Sequence, residues 1–256
     1  MATIFLPSRQ DEEIDFGQGR ARSLDLAFSP KTDLMLQRLG GETDAAEAGL
    51  GSLSSRYETG GRGPGAISSG AGDSGGASYG SYQLASRRGR PQDFLRNEGR
   101  AWAPQLEKFA VGTADYNDVW KAIAERDPAG FAQAQHDYID RTHYRPQIDR
   151  IRTATGRDLS GASTALKDVV WSTAVQHGPG TDIIVKAMRA VPQQPGDPAY
   201  EPALIHAIYA ERGRRRADGK LAYFSNNSPA VQAGVANRFV SEEREALKRQ
   251  AADTGD

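Results

Sequence analysis

The chain predicts a mainly α fold, in the α+β sense, with one small glycine-rich β-hairpin, and three observations carry that expectation. Everything after Pro91 shows helical spacing of apolar residues, interrupted by proline and glycine. Residues 60–80 hold 9 of the chain's 28 glycines and run directly into a tyrosine-bearing stretch with strand propensity. There is no internal repeat, heptad run or βαβ alternation that would put the chain in another class.

Taken in order, residues 1–40 scatter charges and glycines through DEEIDFGQGRARS after a brief apolar start at Ile4-Phe5-Leu6, and read as an arm or tether. The folded domain is expected over 41–256. Leu34, Leu36 and Leu39 make a short helical pattern that stops at Gly40-Gly41. Asp44 and Glu47 resemble a capping box, and Leu50, Leu53 and Tyr57 then share one helix face, which ends at Gly60-Gly61. Ala66-Ile67-Ser68 is the expected strand partner of the stretch from Ser78 to Leu84. Helices are expected over 91–99, 115–126, 128–142, 145–155, 163–177, 181–190, 201–212 and 229–250. In the 163–177 segment Leu166, Val169, Val170, Ala174 and His177 form a stripe that Trp171 and Val175 widen, so that helix is expected to be buried.

Composition removes several function classes. Lys and Arg total 32 against 33 Asp and Glu, and a net charge of −1 gives no electrostatic case for nucleic acid or an anionic membrane surface. The absence of cysteine excludes thiolate nucleophiles, disulfides, iron–sulfur clusters and thiol zinc sites. No apolar run approaches membrane-spanning length, and Asp11, Glu12 and Glu13 stand where a signal peptide would be apolar. The reading is therefore cytoplasmic synthesis, no membrane insertion, and passage outward through a holin, a virion or a secretion machine. Gly70, Gly72 and Gly75 imitate a dinucleotide fingerprint, but a strand pattern follows them where a helix is needed. His136, His143, His177 and His206 show no metal-ligand spacing, so no metal and no cofactor is expected. The arginines at 87–90 and 212–216 read as solvated helix ends or loops.

The carboxylates say more. Glu58 falls in the last turn of its expected helix, where the dipole and apolar neighbours favour its protonated form. Asp73 falls among glycines and small polar residues at the expected hairpin tip, where it stays hydrated and ionised. An acid paired with a carboxylate base is what glycosidic hydrolysis requires. Tyr79 and Tyr82 are placed to stack on sugar rings, and His177 ends a helix beside a glycine loop where it can point into a cleft.

The string Ser55-Arg56-Tyr57-Glu58-Thr59-Gly60-Gly61-Arg62-Gly63-Pro64-Gly65, with Gly72-Asp73-Ser74-Gly75-Gly76-Ala77-Ser78-Tyr79-Gly80-Ser81-Tyr82-Gln83 and Val170-Trp171-Ser172-Thr173-Ala174-Val175-Gln176-His177-Gly178, resembles the chitosanase-like muramidase family of the lysozyme superfamily. That family occurs in bacteriophage lysins and in lytic domains of type VI secretion spike proteins. The resemblance runs from about residue 44 to 248. It implies a lysozyme-like helical domain with catalytic Glu58 and Asp73, and substrate contacts from Arg62, Ser78, Tyr79, Tyr82, Gln83 and His177. Thr59 and Ala66 depart from the serine and threonine the pattern would carry. The function so implied is a lysozyme-type glycoside hydrolase, an endolysin-like enzyme that cleaves the β-1,4 bond between N-acetylmuramic acid and N-acetylglucosamine in peptidoglycan strands, with inversion where the two carboxyl groups stand about 6.5–9.5 Å apart. Chitosan hydrolysis, lytic transglycosylation and a non-catalytic glycan-binding virion or secretion component remain open beside it. Any inhibitor or immunity protein cannot be read from the sequence.

Overall fold

The computed structural model describes residues 50–53, 63–69 and 76–254. The arm expected over 1–40 and most of the helix expected from Asp44 lie outside the described residues, although Ser52 and Leu53 are already helical. The molecule is mainly helical with one small antiparallel sheet. Strands β1 (Ile67–Ser68), β2 (Ser78–Tyr79) and β3 (Leu84–Ala85) lie side by side in that order. Tyr79 pairs with Ile67 on one side and Leu84 on the other, so the expected hairpin gains a third strand.

Helices α1 (Arg90–Arg96), α2 (Ala103–Leu106), α3 (Ala114–Arg126) and α4 (Pro128–Ile139) follow. Their starts are chemically marked. Pro91, Pro104 and Pro128 stand in first turns, where a missing N–H costs nothing. Thr113 accepts from the Tyr116 amide, and Asp127 accepts from the Gly130 amide.

Helix α4 continues into α5 (Arg145–Thr155) through a π-helical turn over Asp140–Tyr144. Pro146 has no amide hydrogen to return to the preceding turn, and the widened turn just ahead of it absorbs the lost bond. The same turn buries His143. The Thr142 hydroxyl donates to the Tyr138 carbonyl at 2.7 Å, so at 2.7 Å from His143 Nδ1 it accepts that nitrogen's proton. Nε2, 3.4 Å from Arg90 Nη1, is then the acceptor. Burial and the Arg90 charge push the His143 pKa down to about 3.

The remaining helices are α6 (Thr164–His177), α7 (Ile183–Ala190), α8 (Tyr200–Arg212) and α9 (Pro229–Thr254). Two apolar cores result. One gathers Tyr79, Phe94, Trp120, Phe131 and Tyr138 around the sheet and the early helices, and the other gathers Val169, Ile184, Ile205, Ile208 and Phe239 among the later helices. Helix α6 feeds both, since Leu166, Val169 and Val170 enter the second core and Trp171 the first. Ten of its fourteen residues are buried, as its sequence stripe implied.

Across the second core, α9 supplies Glu242, which is fully buried between two guanidinium groups. Arg238 Nε lies 2.5 Å from one carboxylate oxygen and Arg212 Nη2 lies 3.1 Å from the other. The Ser172 hydroxyl donates to the same carboxylate at 3.2 Å, and Arg212 also donates to Gln176 at 2.6 Å. The Arg212 guanidinium stands over the rings of Tyr209 and Phe239, at 4.7 and 4.6 Å from their centroids.

Replacing Glu242 with Gln should cost about 3–5 kcal/mol, because two buried guanidinium groups lose the charge of the carboxylate between them. Chemical denaturation measures the loss. A pH dependence follows from His143 and His177, both with folded pKa values depressed from 6.5. Below that value the unfolded chain takes up protons that the fold refuses, so their contribution is intact at neutral pH and falls as the pH drops, for His143 until about pH 3. His143→Gln should flatten the slope of stability against pH in that acid window.

Candidate functional site

The site expected from the sequence centres on Glu58 and Asp73. Both lie outside the described residues, as does Arg62. The structure describes the stretches that precede and follow them in the chain.

On one side, residues 50–53 are held from three directions. The Asp168 carboxylate on α6 accepts from the Gly51 amide, from the Leu53 amide at 3.1 Å and from the Ser52 hydroxyl at 3.1 Å. Arg249 on α9 donates to both Ser52 Oγ at 2.7 Å and Asp168 at 3.1 Å. His136 on α4 gives its Nε2 hydrogen to the Leu50 carbonyl at 2.7 Å. Asp168 is 1% exposed, and desolvation raises its pKa against the pull of these donors. Gly51 has φ +87°, and a Cβ there would stand 3.0 Å from the Trp171 indole. That close approach and that backbone angle both demand glycine.

On the other side, Gln135 and Trp120 pin the base of the sheet. Gln135 is fully buried; it donates to the Pro64 carbonyl at 3.1 Å and accepts from the Ser81 amide at 2.9 Å. The Trp120 indole donates to the same carbonyl at 2.9 Å. Gly80, at φ +74°, passes so close to Gln135 that a Cβ would fall 2.2 Å from its Oε1.

Among the expected substrate contacts, Ser78 and Tyr79 are interior residues of β2. The Ser78 amide donates to Ser68 Oγ at 3.3 Å. The Tyr79 hydroxyl donates to Asn117 at 2.6 Å and accepts from the Gly112 amide at 3.0 Å, while its ring packs on Tyr116 and Trp120. Gln83 takes the left-handed conformation, φ 52°, and its side-chain amide donates back to Gly80, closing the turn between β2 and β3. Tyr82 is half-buried with its ring 6.3 Å from Trp171, which stacks in turn on His136 at 4.5 Å. These four residues sit together on the sheet. His177 sits apart, in the second core, where Tyr223, Phe224 and Phe239 surround its ring. Burial and the charges of Arg212 and Arg238 hold it neutral.

Asp168, Gln135, His136 and Arg249 were not picked out from the sequence. A charged residue inside the apolar stripe of α6 was the available signal for Asp168, since a carboxylate on a helix buried on both sides must have dedicated partners. Among the described residues no group of three or more His, Asp or Glu could hold a metal ion, and no helix is long and apolar enough to cross a membrane.

The family model for the C-terminal region of VgrG3-like type VI secretion system spike proteins matches residues 50–243. The chain belongs to that family. The matched span nearly coincides with the described body. A 143-residue stretch is 41% identical to the type VI secretion system spike protein VgrG3 of Vibrio cholerae serotype O1, covering 54% of this chain and 13% of that protein.

These findings correct the family and function drawn from the motif resemblance. The VgrG3-like spike family replaces the chitosanase-like muramidase family, and neither comparison names a glycoside hydrolase. The assignment as a lysozyme-type enzyme cleaving peptidoglycan, and the endolysin and bacteriophage setting that went with it, are withdrawn. The physical reason is that shared glycine, tyrosine and tryptophan positions report the frame described above, which any chemistry or none can occupy. Membership in a secretion-spike family is compatible with the secretion machine among the three exit routes left open by the sequence.

Asp168→Ala should leave the Gly51 and Leu53 amides and the Arg249 guanidinium without their shared acceptor, at a cost of about 3–5 kcal/mol. Hydrogen exchange at Gly51 and Leu53 should accelerate far more than at the sheet amides.

Proposed function

We propose that this chain is a secretion component, the C-terminal type of module that a type VI spike carries out of the producing cell, and that it holds peptidoglycan glycan strands rather than cleaving them. The observation that carries this reading is the spike-family match over the folded body, residues 50–243. The likeness to the Vibrio cholerae spike protein supports it, and what the rest of that longer protein does stays with that protein. The frame suits a holding role. Asp168, Arg249 and His136 hold residues 50–53, and Gln135 and Trp120 hold Pro64 and Ser81 at the base of the sheet. Half-buried Tyr82, backed by Trp171, offers a ring beside the sheet. In this reading the chain is made in the cytoplasm and meets the wall after delivery.

Two measurements test it. Tagged in its own gene, the chain should reach the culture medium from cells with a working type VI machine and stay inside cells whose machine is disabled. The purified chain should sediment with isolated peptidoglycan sacculi and leave no soluble fragments. Release independent of the machine would overturn the delivery reading. Soluble muropeptides in the supernatant would overturn the binding reading.

A further inference from the structure

Between α8 and α9 the chain folds back on itself over residues 213–222, with Arg215 and Leu221 bridged antiparallel. The Arg216 amide donates to the Lys220 carbonyl at 2.9 Å, and the Ala222 amide donates to the Arg214 carbonyl at 2.8 Å. Arg216 therefore stands opposite Lys220, and Arg214 opposite Ala222. Side chains alternate between the two faces of such a pair. Buried Leu221 shares its face with Arg215, whose guanidinium turns back to the Gly219 carbonyl at 2.7 Å. Arg214, Arg216 and Lys220 share the other face, with side chains 49%, 56% and 54% exposed.

This outer face is charged against its own stability. Like charges directly opposite each other on a hairpin repel, and Arg216 and Lys220 are such a pair. The Asp218 carboxylate lies 3.9 Å from Arg216 Nε and 4.0 Å from Lys220 Nζ, at the outer limit of an ion pair. It is already committed to the turn, where it accepts from the Lys220 amide at 3.2 Å. Glu211 is divided in the same way: it accepts from the Tyr223 hydroxyl and lies 3.1 Å from Arg214 Nε and 3.6 Å from Lys186 Nζ. Four half-exposed cations, Lys186, Arg214, Arg216 and Lys220, thus share two carboxylates. In a chain of net charge −1, that local excess of positive charge is a surface for an anion.

The surroundings say which anion. A nucleic-acid single strand needs an aromatic face on which to stack its bases, and the Tyr223 ring already carries Lys186 and Arg214, at 5.9 and 5.5 Å from its centroid. An anionic membrane surface is gripped by apolar side chains set among basic ones, whereas the tip here is Ala217-Asp218-Gly219. An extended peptide suits the face as built. Its alternate side chains fall on one side about 6.5–7 Å apart, the spacing that Arg214 and Arg216 have along their own strand. Guanidinium groups also grip carboxylates through paired hydrogen bonds.

We propose that the outer face of residues 213–222 binds an extended acidic segment of a partner protein with carboxylates at alternate positions, one engaging Arg214 and the next the Arg216–Lys220 pair. The site goes beyond the spike reading and does not rest on it, since neither delivery nor glycan holding enters the argument.

Fluorescence anisotropy of labelled peptides with the full chain tests the site at about 0.05 M salt, where exposed charges are little screened. One peptide alternates Glu and Thr, a second carries the same residues with all its Glu in one block, and a third alternates Gln and Thr. The alternating Glu peptide should bind more tightly than the block peptide, and the Gln peptide should not bind. Arg216→Gln should weaken binding about tenfold, the worth of one hydrogen bond between charged groups. Arg215→Gln removes the same charge from the other face and should change binding by less than about twofold, the share of the general field at the rim of a contact. Both side chains are exposed, so the fold survives either change. No binding of the alternating Glu peptide, equal binding of the two Glu peptides, or equal losses in the two variants would overturn the proposal. Tighter binding of a thymidine oligonucleotide or of phosphatidylglycerol vesicles than of that peptide would overturn it too.

Discussion

Glu242 carries a charge that no water reaches, and the later helices are arranged around the need to satisfy it. Its two oxygens are shared among Arg212 from α8, Arg238 one turn back on α9, and Ser172 from α6. Removing a carboxylate from water is so expensive that only close, hydrogen-bonded partners repay it. Those partners fix the rotation of three helices at once. α6 and α8 each turn one polar residue, and α9 two, to a common point, and the apolar residues beside them then face the second core. The arginines are in turn constrained by Tyr209 and Phe239, whose ring faces hold the Arg212 guanidinium.

Helix α6 extends that constraint to the rest of the molecule. About a turn and a half before its end, Ser172 joins the Glu242 cluster, and one turn earlier Asp168 fastens residues 50–53. Between them Trp171 reaches into the aromatic core that carries the sheet. The two ionic groups and the indole tie the later helices, the sheet and the first described residues to a single element.

Much of the helical layout was legible in the sequence because proline, glycine and capping residues mark its joints. Asp127-Pro128 separates α3 from α4, Pro146 forces the π-helical turn before α5, and Ser163 caps α6. The single turn α2 was not legible, since four residues carry no periodicity, and the two-residue strand β3 was hidden for the same reason. Tyr79 shows the limit at the site. Tyrosine suits both a glycan-facing surface and a core, and only the Asn117 and Gly112 partners decide for the core. Asp168 was masked by the apolar stripe around it. Gly51 lies outside the motif strings, and Gly80 stands in one of them without being marked there as special backbone; backbone geometry in any case does not specify chemistry, and the family match redirected the function.

The bond between Arg249 and Ser52 joins residues 197 positions apart in the chain. A ribosome releases Ser52 long before it makes Arg249, so this one of the segment's three anchors can form only after those from His136 and Asp168. Closing so long a loop is entropically slow, and topologies dominated by distant contacts fold later than local ones. Any journey that threads the polypeptide in sequence imposes the same wait. Residues 50–53 thus acquire their anchorage in stages, the Arg249 bond after the other two.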